Sequence, residues 1–420
     1  MSVVVVGLNR TVPLRLLERM MVTDATLPKA LHDLGGRTHL AEAVVLSTCM
    51  RTEVYAEAEK FHGAIGDIRN FLAEMSGASP ESFSDHLYTY YEDAAVAHLF
   101  EVAAGLDSAV VGEGEILGQV RDAWERAREE GAAGPALGNL FRHAIEVGKR
   151  ARTETAISRG VTSVSQAAVA MAADVLWGLS GRTVLVVGAG DMGRGMAVAL
   201  AGRGVERVLV ASRSEARAAE VVAELPTEAG VIDLSDVPDQ LRSVDLVLTG
   251  TAASGLVFGA EEVAAALAER AGRRLLMVDI AVPRDVDPAV RELPGVTLLD
   301  MEDLVSFAEA GMSGRKAEVT RVREIIEEEV RRYGELSTAR TVAPVVAALH
   351  DRAEALRAAE LDRMSGRLSS LDERQRRAVE TLTRGLVAKL LHDPTVRLKE
   401  EAGTPRGERL AEALRTLFDI

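Results

Sequence analysis

The sequence contains one cysteine, Cys49, among its 420 residues. A single cysteine excludes an intrachain disulfide and a metal site built from clustered cysteines, so no bound metal is expected. The sequence also lacks any run of eighteen apolar residues, and residues 1–8 are too few and too uncharged for a signal peptide. These absences predict a cytoplasmic protein that does not associate with a membrane.

Positive charge is scarce as well: the sequence has 49 Lys and Arg against 64 Asp and Glu, a formal net charge of −15. Such an excess of acid is unfavourable for nucleic-acid binding, because phosphate contacts need Lys and Arg. The excess is not uniform, since residues 341–420 hold 14 basic and 13 acidic side chains. Residues 138–160 carry five basic side chains and two glutamates, which indicates either a local basic surface or, more simply, a solvated helix face.

Length and composition predict a folded chain of two or three domains. Apolar residues make up 47% of the sequence and charged residues 27%, which is typical of folded proteins and excludes disorder as the dominant state. In the first hundred residues, strands are predicted at Ser2–Val6, Ala43–Leu46 and Glu53–Glu57, with a helix at Leu27–Leu34. Helical spacing then continues from Asp93 to about Leu176. We therefore expect an α+β domain over residues 1–155.

A second zone alternates strands with helices. Strands are predicted at Thr183–Val187, Arg207–Ala211, Leu246–Leu248 and Leu275–Asp279, and a helix at Glu215–Leu225. Such alternation is typical of βαβ units with right-handed crossovers, which build a parallel sheet. Residues 156–300 are therefore expected to form an α/β domain.

Strand signals stop beyond Asp300. Apolar residues recur there at helical spacing, at Val319, Val322, Ile326, Val330 and Tyr333, and again at Leu382, Leu386 and Leu390. Pro344 stands where a first-turn proline would begin a new helix. Amphipathic helices without a core of their own predict an all-helical bundle over residues 301–420 that is completed by a second copy of the chain. A coiled coil is the alternative, although no strict heptad persists.

The segment Gly188-Ala189-Gly190-Asp191-Met192-Gly193 follows a predicted buried strand and opens a predicted helix. In this context, the Gly-x-Gly-x-x-Gly spacing is typical of dinucleotide binding. The first glycine permits the tight turn, the second lets the main chain approach the pyrophosphate, and the third lets the helix pack on the strand. The unpaired N–H groups of the helix N-terminus then face the phosphates. A glycine-rich turn that binds nothing is the less favoured interpretation.

The end of the next strand predicts which dinucleotide binds. A site for NAD has an acidic residue roughly 20 residues beyond the glycines, which holds the ribose 2′-hydroxyl. Here the strand ends in Ala211-Ser212-Arg213-Ser214. The guanidinium of Arg213 can form charge-assisted hydrogen bonds to a 2′-phosphate, so Ser212 and Arg213 predict NADPH as the cofactor. A surface arginine without this role is the alternative.

Cys49 lies among polar residues that follow an apolar run. A lone cysteine is more often a small buried apolar residue than a nucleophile. The polar neighbours nevertheless indicate the end of a strand, and Arg51 could stabilise a thiolate or an anionic group of a substrate. A thiolate together with a nicotinamide would suit a thioester or thiohemiacetal that is handled by hydride transfer.

The segment Ser47-Thr48-Cys49-Met50-Arg51-Thr52-Glu53-Val54-Tyr55 resembles the S-T-C-N-R-x-E-x-Y signature of the glutamyl-tRNA reductase family. Further segments resemble motifs of the same family, namely His98–Phe100, Gly105–Ser108, Gly112–Val120, Gly160–Ser165 and Asp279–Asp285. They occur in the family's order along essentially the whole chain, and together they are highly specific.

The resemblance implies a reaction and a role for each matching residue. Glutamate esterified to tRNA(Glu) would be reduced by NADPH to glutamate-1-semialdehyde, the first step of five-carbon tetrapyrrole synthesis. Cys49 would displace the tRNA and hold glutamate as a thioester, while His98 would act in proton transfer or positioning. The implied substrate-binding residues are Thr48, Met50, Arg51, Ser108, Glu113, Gly114, Glu115 and Gln119. The implied cofactor-binding residues are Gly188, Ala189, Gly190, Asp191, Met192 and Gly193, together with Ser212 and Arg213.

The resemblance also implies an architecture and partners. A catalytic domain with a ferredoxin-like sheet plus helices would be followed by a Rossmann NADP-binding domain, a long linking helix and a helical dimerisation domain, which would make a homodimer. The basic segment from Arg142 to Arg159 would contact tRNA. Because the semialdehyde is reactive, a transient complex with the glutamate-1-semialdehyde aminomutase that consumes it is expected.

The chain departs from the family pattern in three places. The family's G-L-N-H-K-T-A-P opening is shorter by one residue over Gly7–Pro13, and Met50 replaces an asparagine. Glu115 replaces the glutamine of an E-P-Q triplet, which brings a second carboxylate to the site of an acidic substrate and weakens binding unless one carboxyl is protonated or paired. Two alternatives follow: a catalytically weakened paralogue that binds tRNA and NADPH as a regulator, or another NADP-dependent dehydrogenase of the shikimate type, which needs no nucleophilic cysteine.

Overall fold

The computed structural model describes residues 3–159, 163–253, 255–311 and 316–420. They form two compact units, one within residues 3–327 and one within residues 328–420. In the part of the chain so described, every helix is too short or too polar to cross a membrane.

The first unit begins with an antiparallel sheet. Its elements are β1 (Val3–Asn9), α1 (Leu14–Met20), α2 (Leu27–Gly35), β2 (Leu40–Thr48), β3 (Arg51–Ala58), α3 (Phe61–Ser76) and β4 (Tyr88–Tyr91). The strand order β2-β3-β1-β4 and the βαββαβ succession are those of a ferredoxin-like sheet, as the resemblance implied. Every residue of β1 is buried, because the sheet lies in the core of this part of the chain. β4 was not predicted, since it is a four-residue edge strand of half-exposed tyrosine and threonine.

A run of helices covers this sheet. They are α4 (Asp93–Ala104), α5 (Glu115–Glu129), α6 (Pro135–Glu154) and α7 (Val164–Val175). Helices α4, α5 and α6 contact strands of the sheet, and α7 contacts the nucleotide-binding part of the same unit. The predicted helical stretch between Asp93 and Leu176 is therefore confirmed.

The second half of this unit is a six-stranded parallel sheet. Its elements are β5 (Thr183–Val187), α8 (Asp191–Ala201), β6 (Arg207–Ala211), α9 (Glu215–Glu224), β7 (Glu228–Ile232), α10 (Val237–Gln240), β8 (Leu246–Thr249), α11 (Ala260–Ala268), β9 (Leu275–Asp279), β10 (Val296–Leu299) and α12 (Met301–Ala310). The order β10-β9-β8-β5-β6-β7 reverses direction at β5, which places a ligand crevice at the carboxyl end of that strand. The Rossmann prediction is confirmed, with β5, β6 and β9 at their predicted bounds.

Four helices complete the chain: α13 (Lys316–Arg363), α14 (Ser365–Leu368), α15 (Glu373–Glu400) and α16 (Pro405–Phe418). The prediction that a helix begins at Pro344 is wrong, because Pro344 lies inside the 48-residue helix α13. A proline removes one helical hydrogen bond and its ring crowds the preceding turn, but a long helix can continue through it because its other hydrogen bonds remain. Val342, Val345 and Leu398 form a small core of the second unit.

The predicted apolar stripe on α15 is exposed to solvent. Leu382, Leu386 and Leu390 are 63%, 54% and 75% exposed, respectively. Large apolar side chains at helical spacing seldom remain in contact with water, so this stripe is a surface that another chain can cover.

Candidate functional site

Cys49 lies in the two-residue turn that joins β2 to β3, so it stands at the end of a strand, as its polar neighbours indicated. Its half-buried side chain lines a small cavity of about 20 Å³. The lining residues are Thr48, Cys49, Met50, Arg51, Ser108, Ala109, Glu113, Glu115, Ile116, Gln119, Val164 and Met192. The structure thus brings together all the predicted catalytic and substrate-binding residues except Gly114 and His98.

The loop between α4 and α5 supplies one wall of this cavity. Gly112 has a positive φ of +84°, and a Cβ there would lie 2.3 Å from the main-chain oxygen of Ile157. Glycine is therefore required where this loop approaches its neighbour so closely. Gly114 is the N-cap of α5 and lies between Glu113 and Glu115, the first residue of that helix.

The electrostatic environment of Cys49 favours the thiol over the thiolate. Burial, followed by the negative charges of Glu113 and Glu115, raises the pKa of the Cys49 thiol to about 12. Arg51 lowers this pKa, but its effect is the smaller one. The sequence indicated that Arg51 could stabilise a thiolate or an anionic group of a substrate, and the partners of its guanidinium group explain why its effect on the thiol is small.

Arg51 is buried and bonded to two carboxyl-bearing residues. Its Nη1 donates to Oε1 of Glu53 at 2.7 Å, and its Nη2 donates to the main-chain oxygen of Asp107 at 2.6 Å and lies 3.1 Å from Oδ2 of Asp107. Asn9 donates to the same Oδ2 at 3.0 Å. The positive charge of Arg51 is therefore largely balanced inside the protein.

Glu53, which the sequence did not indicate as a site residue, is the centre of this network and is 0% exposed. Besides Arg51, its carboxylate accepts hydrogen bonds from Tyr55 at 2.7 Å and from Tyr88. Burial alone would raise the pKa of Glu53, but Arg51 and His98 outweigh it and hold that pKa well below its ordinary range. The one signal in the sequence is the spacing, because oppositely charged residues two apart in a strand share a face.

His98 lies on α4 and contacts this network rather than the Cys49 cavity. Its Nε2 is 2.9 Å from Oε1 of Glu53, and its ring contacts that of Tyr90, with centroids 4.8 Å apart and ring planes tilted by 30°. Glu53, His98 and Asp107 place three possible ligand atoms within 4.8 Å of one another, the spacing of a metal site. The guanidinium of Arg51 is bonded to both acids of that cluster, so the group that balances their charge is an arginine.

The glycine-rich turn after β5 opens onto the larger cavity of the unit, of about 920 Å³. A Cβ at Gly193 would lie 1.9 Å from the oxygen of Gly188, whereas a Cβ at Gly190 would meet nothing within 4 Å. Gly193 is therefore needed for packing of the helix on the turn, and Gly190 leaves space for a ligand. The volume lies in the range of small-molecule and cofactor sites, so a dinucleotide fits the residues present.

The far end of this cleft carries hydroxyl and guanidinium groups. Ser212, Arg213, Ser214 and Arg217 all line it. Arg217, in the first turn of α9, was not predicted; its signal was its position three residues after Ser214, whose side chain caps that helix. Two guanidinium groups and two hydroxyl groups at one end of a cleft are suited to bind a phosphate.

The cysteine cavity and the dinucleotide cleft adjoin. Glu115, Gln119 and Met192 line both of them, and Met192 belongs to the glycine-rich motif itself. Burial and the negative charge of Asp191 raise the pKa of Glu115. A group held on Cys49 would thus lie next to the cleft in which a dinucleotide fits.

The Asp279–Asp285 segment connects the two halves of the unit. Oδ2 of Asp279 accepts hydrogen bonds from the main-chain N–H groups of Asp285 and Val286, and the neighbouring Arg284 binds Glu18 of α1 through its main-chain N–H and its guanidinium. The Glu18–Arg284 pair was not predicted, because the two residues are 266 positions apart.

The Gly160–Ser165 motif is described in part, because residues 160–162 lie outside the described residues. Ser163 caps α7, and the hydroxyl of Ser165 donates to the main-chain oxygen of Met192.

Comparison with known proteins gives a consistent result along the chain. Residues 6–155 match the family model "Glutamyl-tRNAGlu reductase, N-terminal domain", residues 170–307 the model "Shikimate / quinate 5-dehydrogenase", and residues 321–420 the model "Glutamyl-tRNAGlu reductase, dimerisation domain". Curated glutamyl-tRNA reductases of Frankia casuarinae and Desulforudis audaxviator are 42% and 41% identical to this chain; the alignments cover 100% of it and 96% and 94% of theirs. The solved structure of glutamyl-tRNA reductase from Methanopyrus kandleri is 33% identical over 100% of this chain and 99% of that one, with a TM-score of 0.54.

Proposed function

The chain belongs to the glutamyl-tRNA reductase family, and from this premise we propose that Cys49 attacks the ester of glutamyl-tRNA(Glu) and holds the glutamyl group as a thioester. An enzyme of this family is an oxidoreductase, and the reduction of glutamyl-tRNA to glutamate-1-semialdehyde begins tetrapyrrole biosynthesis. A thioester carbon accepts a hydride more readily than an ester carbon does, which gives the single cysteine a chemical purpose.

One observation carries the proposal: the only cysteine lines a cavity that shares Glu115, Gln119 and Met192 with the dinucleotide cleft. Thr48, Met50, Ser108 and Gln119 line the same cavity as the thiol and are proposed to bind the glutamyl group. Arg51 lines the same cavity and is proposed to face the substrate's carboxylate, although Glu53 and Asp107 already share its charge. His98 is proposed to position Glu53, and through it Arg51.

The family and the Rossmann sheet imply a nicotinamide cofactor, and we propose that it is NADPH. The glycine-rich turn from Gly188 to Gly193 would hold the pyrophosphate, and Arg213 with Arg217 would hold a 2′-phosphate. The bound dinucleotide supplies the hydride. The side chains that line both cavities are proposed to orient the thioester toward the cofactor.

The proposed partners follow from the surfaces of the chain. The exposed leucines of α15 support a homodimer built on the helical domain, and the basic segment 142–159 is proposed to contact the substrate's tRNA. A cytoplasmic location is proposed, as is a transient complex with the aminomutase that consumes the semialdehyde. The last proposal rests on the reactivity of the aldehyde alone.

The direct test is to isolate the thioester. Glutamyl-tRNA carrying labelled glutamate is incubated with the full chain without NADPH, and label that stays with acid-precipitated protein and is released by hydroxylamine is counted. The unchanged protein should become labelled, and Cys49→Ser should not. Labelling of Cys49→Ser would refute the thioester, and a protein that binds tRNA without labelling would be the regulatory paralogue.

A further inference from the structure

The cavity around Cys49 contains no histidine among the described residues that line it. Of its twelve lining side chains, those that ionise are Cys49, Arg51, Glu113 and Glu115. His98 contacts Glu53 instead, through Nε2 at 2.9 Å from Oε1. A group in this cavity that takes a proton from the thiol must therefore be one of the two carboxylates.

A proton acceptor is needed because the thiol does not ionise by itself at neutral pH. Burial, Glu113 and Glu115 raise the pKa of Cys49 to about 12, and the nucleophile is the thiolate. Arg51 cannot reverse this, because its guanidinium is bonded to Glu53 and Asp107. An electrostatic environment that holds a nucleophile in its protonated form calls for a base that removes the proton as the bond to sulfur forms.

Geometry distinguishes the two carboxylates. Glu113 is 7% exposed and lines the Cys49 cavity but not the dinucleotide cleft. Its position is fixed from behind, since Nη2 of Arg152 donates to its main-chain oxygen at 2.6 Å and its own N–H is bonded to Val110. Glu115, in contrast, lines both cavities and is exposed to the charge of Asp191.

Ser108 provides a second observation that points to a ligand in this cavity. Its side-chain oxygen is buried and makes no hydrogen bond of normal geometry with any described group, although it is near enough to Glu113 to lower the pKa of that carboxyl. A buried hydroxyl without a partner is costly, so it indicates where a polar atom of the substrate binds. Glu113 and the substrate's ester are thus expected on the same side of the thiol.

We propose that Glu113 is the base that accepts the proton of the Cys49 thiol and then gives that proton to the departing tRNA, a proposal that rests on the thioester chemistry above. The sulfur–hydrogen bond breaks while sulfur bonds to the ester carbon. The tetrahedral intermediate then releases the ribose oxygen, which takes the proton from the Glu113 carboxyl. Glu113 ends the step as it began, and no oxidant or reductant is consumed.

The charges around Glu113 suit this role. Burial and Glu115 raise its pKa to about 7, while Ser108, Arg51 and Arg152 oppose the rise. A base whose pKa lies near the working pH can both accept and return a proton efficiently. The groups that face it are therefore Cys49, Arg51, Glu115 and Arg152, and a change in any one of their charges moves its titration.

The test compares two rates in the isosteric variants Glu113→Gln and Glu115→Gln. The first rate is single-turnover transfer of labelled glutamate from tRNA to Cys49 without NADPH, measured from pH 6 to 8.5. The second is alkylation of Cys49, the only thiol of the chain, by iodoacetamide. Each variant removes one negative charge beside the thiol, so the pKa of Cys49 should fall and alkylation should become faster in both.

The two variants should differ in the transfer rate. At pH 7, the transfer rate of Glu113→Gln should be about 10²- to 10⁴-fold lower than that of the unchanged protein, which is the usual contribution of a general base. The transfer rate of this variant should also rise about tenfold per pH unit without levelling off, because it follows the thiolate fraction of Cys49 alone. The unchanged protein and Glu115→Gln should level off above the titration of Glu113. Because a distorted site would also expose the thiol and speed its alkylation, the pH dependence of transfer is the deciding measurement: distortion would lower the transfer rate at every pH and leave the plateau in place.

The remaining outcomes decide against the proposal or lead to a second variant. Transfer in Glu113→Gln that is unchanged or faster would make Glu113 only an electrostatic restraint on the thiol, and loss of the plateau in Glu115→Gln alone would move the role to that residue. If the transfer rate and the alkylation rate both fall in Glu113→Gln, the variant Glu113→Asp decides. A plateau in the pH dependence of transfer in Glu113→Asp would support the proposal, and the absence of that plateau would overturn it. Failure of the unchanged protein to take up label would instead refute the thioester itself.

Discussion

Two glycines of the same turn should respond to alanine in opposite ways. A Cβ at position 193 would lie 1.9 Å from the oxygen and 2.6 Å from the carbon of Gly188, and both atoms belong to the main chain. Because a main-chain contact cannot be relieved by a side-chain rotation, Gly193→Ala should cost about 3 kcal/mol, the upper end of typical overpacking. For a domain of this size, the melting temperature should fall by about 6–12 °C.

Gly190→Ala should leave the fold intact and remove the ligand. Gly190 has φ −80° and ψ −171°, which alanine adopts without strain, and its Cβ would meet no atom within 4 Å. The added methyl group would instead occupy the space into which the pyrophosphate fits. We therefore expect an unchanged melting temperature without ligand and a loss of the increase that a saturating dinucleotide causes, about 2.7 kcal/mol of stabilisation at one hundred times Kd.

Thermal unfolding of the unchanged chain and both variants, with and without NADPH, measures these effects. Far-ultraviolet circular dichroism at 20 °C provides the control that each variant is folded before heating. The reasoning would be refuted if Gly190→Ala destabilised the protein as much as Gly193→Ala does. It would also be refuted if Gly190→Ala kept the full NADPH-induced increase, because the open space at this position would then have no connection with the cofactor.

Two further predictions concern single charges. Arg213→Ala should weaken NADPH binding about 10- to 100-fold, because a hydrogen bond to a charged group contributes about 1.5–3 kcal/mol. NADH binding should remain unchanged. Titration of the protein with each nucleotide measures both affinities, and equal losses of affinity would contradict the prediction. Glu53→Gln should destabilise the protein at pH 7 by about 3–5 kcal/mol, because Arg51 would lose its buried partner. The folded-state pKa of Glu53 lies below its unfolded value, so the stability that Glu53 contributes is present above about pH 4.5 and declines as the pH falls further. Melting curves from about pH 7 to about pH 3 should show this decline in the unchanged protein and a weaker decline in Glu53→Gln.

The parts of the fold that could be predicted are the strands that are buried over most of their length. Thr183–Val187 and Arg207–Ala211 were predicted with their bounds, because in each strand the last four residues are buried and all of these are apolar. Strands β7 and β10 were missed for the opposite reason. Each lies at an edge of the sheet and is mostly half-exposed, and Gly230 in β7 and Thr297 in β10 interrupt the short apolar segments.

The Cys49 cavity could be predicted as a set of residues but not as a set of contacts. Motifs place Thr48, Ser108 and Gln119 at one site, and they do line one cavity. The spacing of Arg51 and Glu53 in one strand indicates their pairing, but no local pattern shows that Asp107, in the loop after α4, will share the charge of Arg51. A pairing over 56 positions depends on how α4 packs against the sheet, which the packing of the whole unit decides.

The charge of Arg51 shows why site chemistry is harder to predict than site membership. From its spacing, Arg51 should favour a thiolate at Cys49, and as an isolated pair the two would do so. Burial changes the result, because a guanidinium removed from water must be balanced at once, and Glu53 and Asp107 are the groups that balance it. Burial of the thiol, together with the negative charges of Glu113 and Glu115, then keeps Cys49 protonated until a substrate and a base act on it together. The same residues that the sequence identifies therefore make a thiol that is unreactive at rest, and its activation depends on the carboxylates rather than on the arginine.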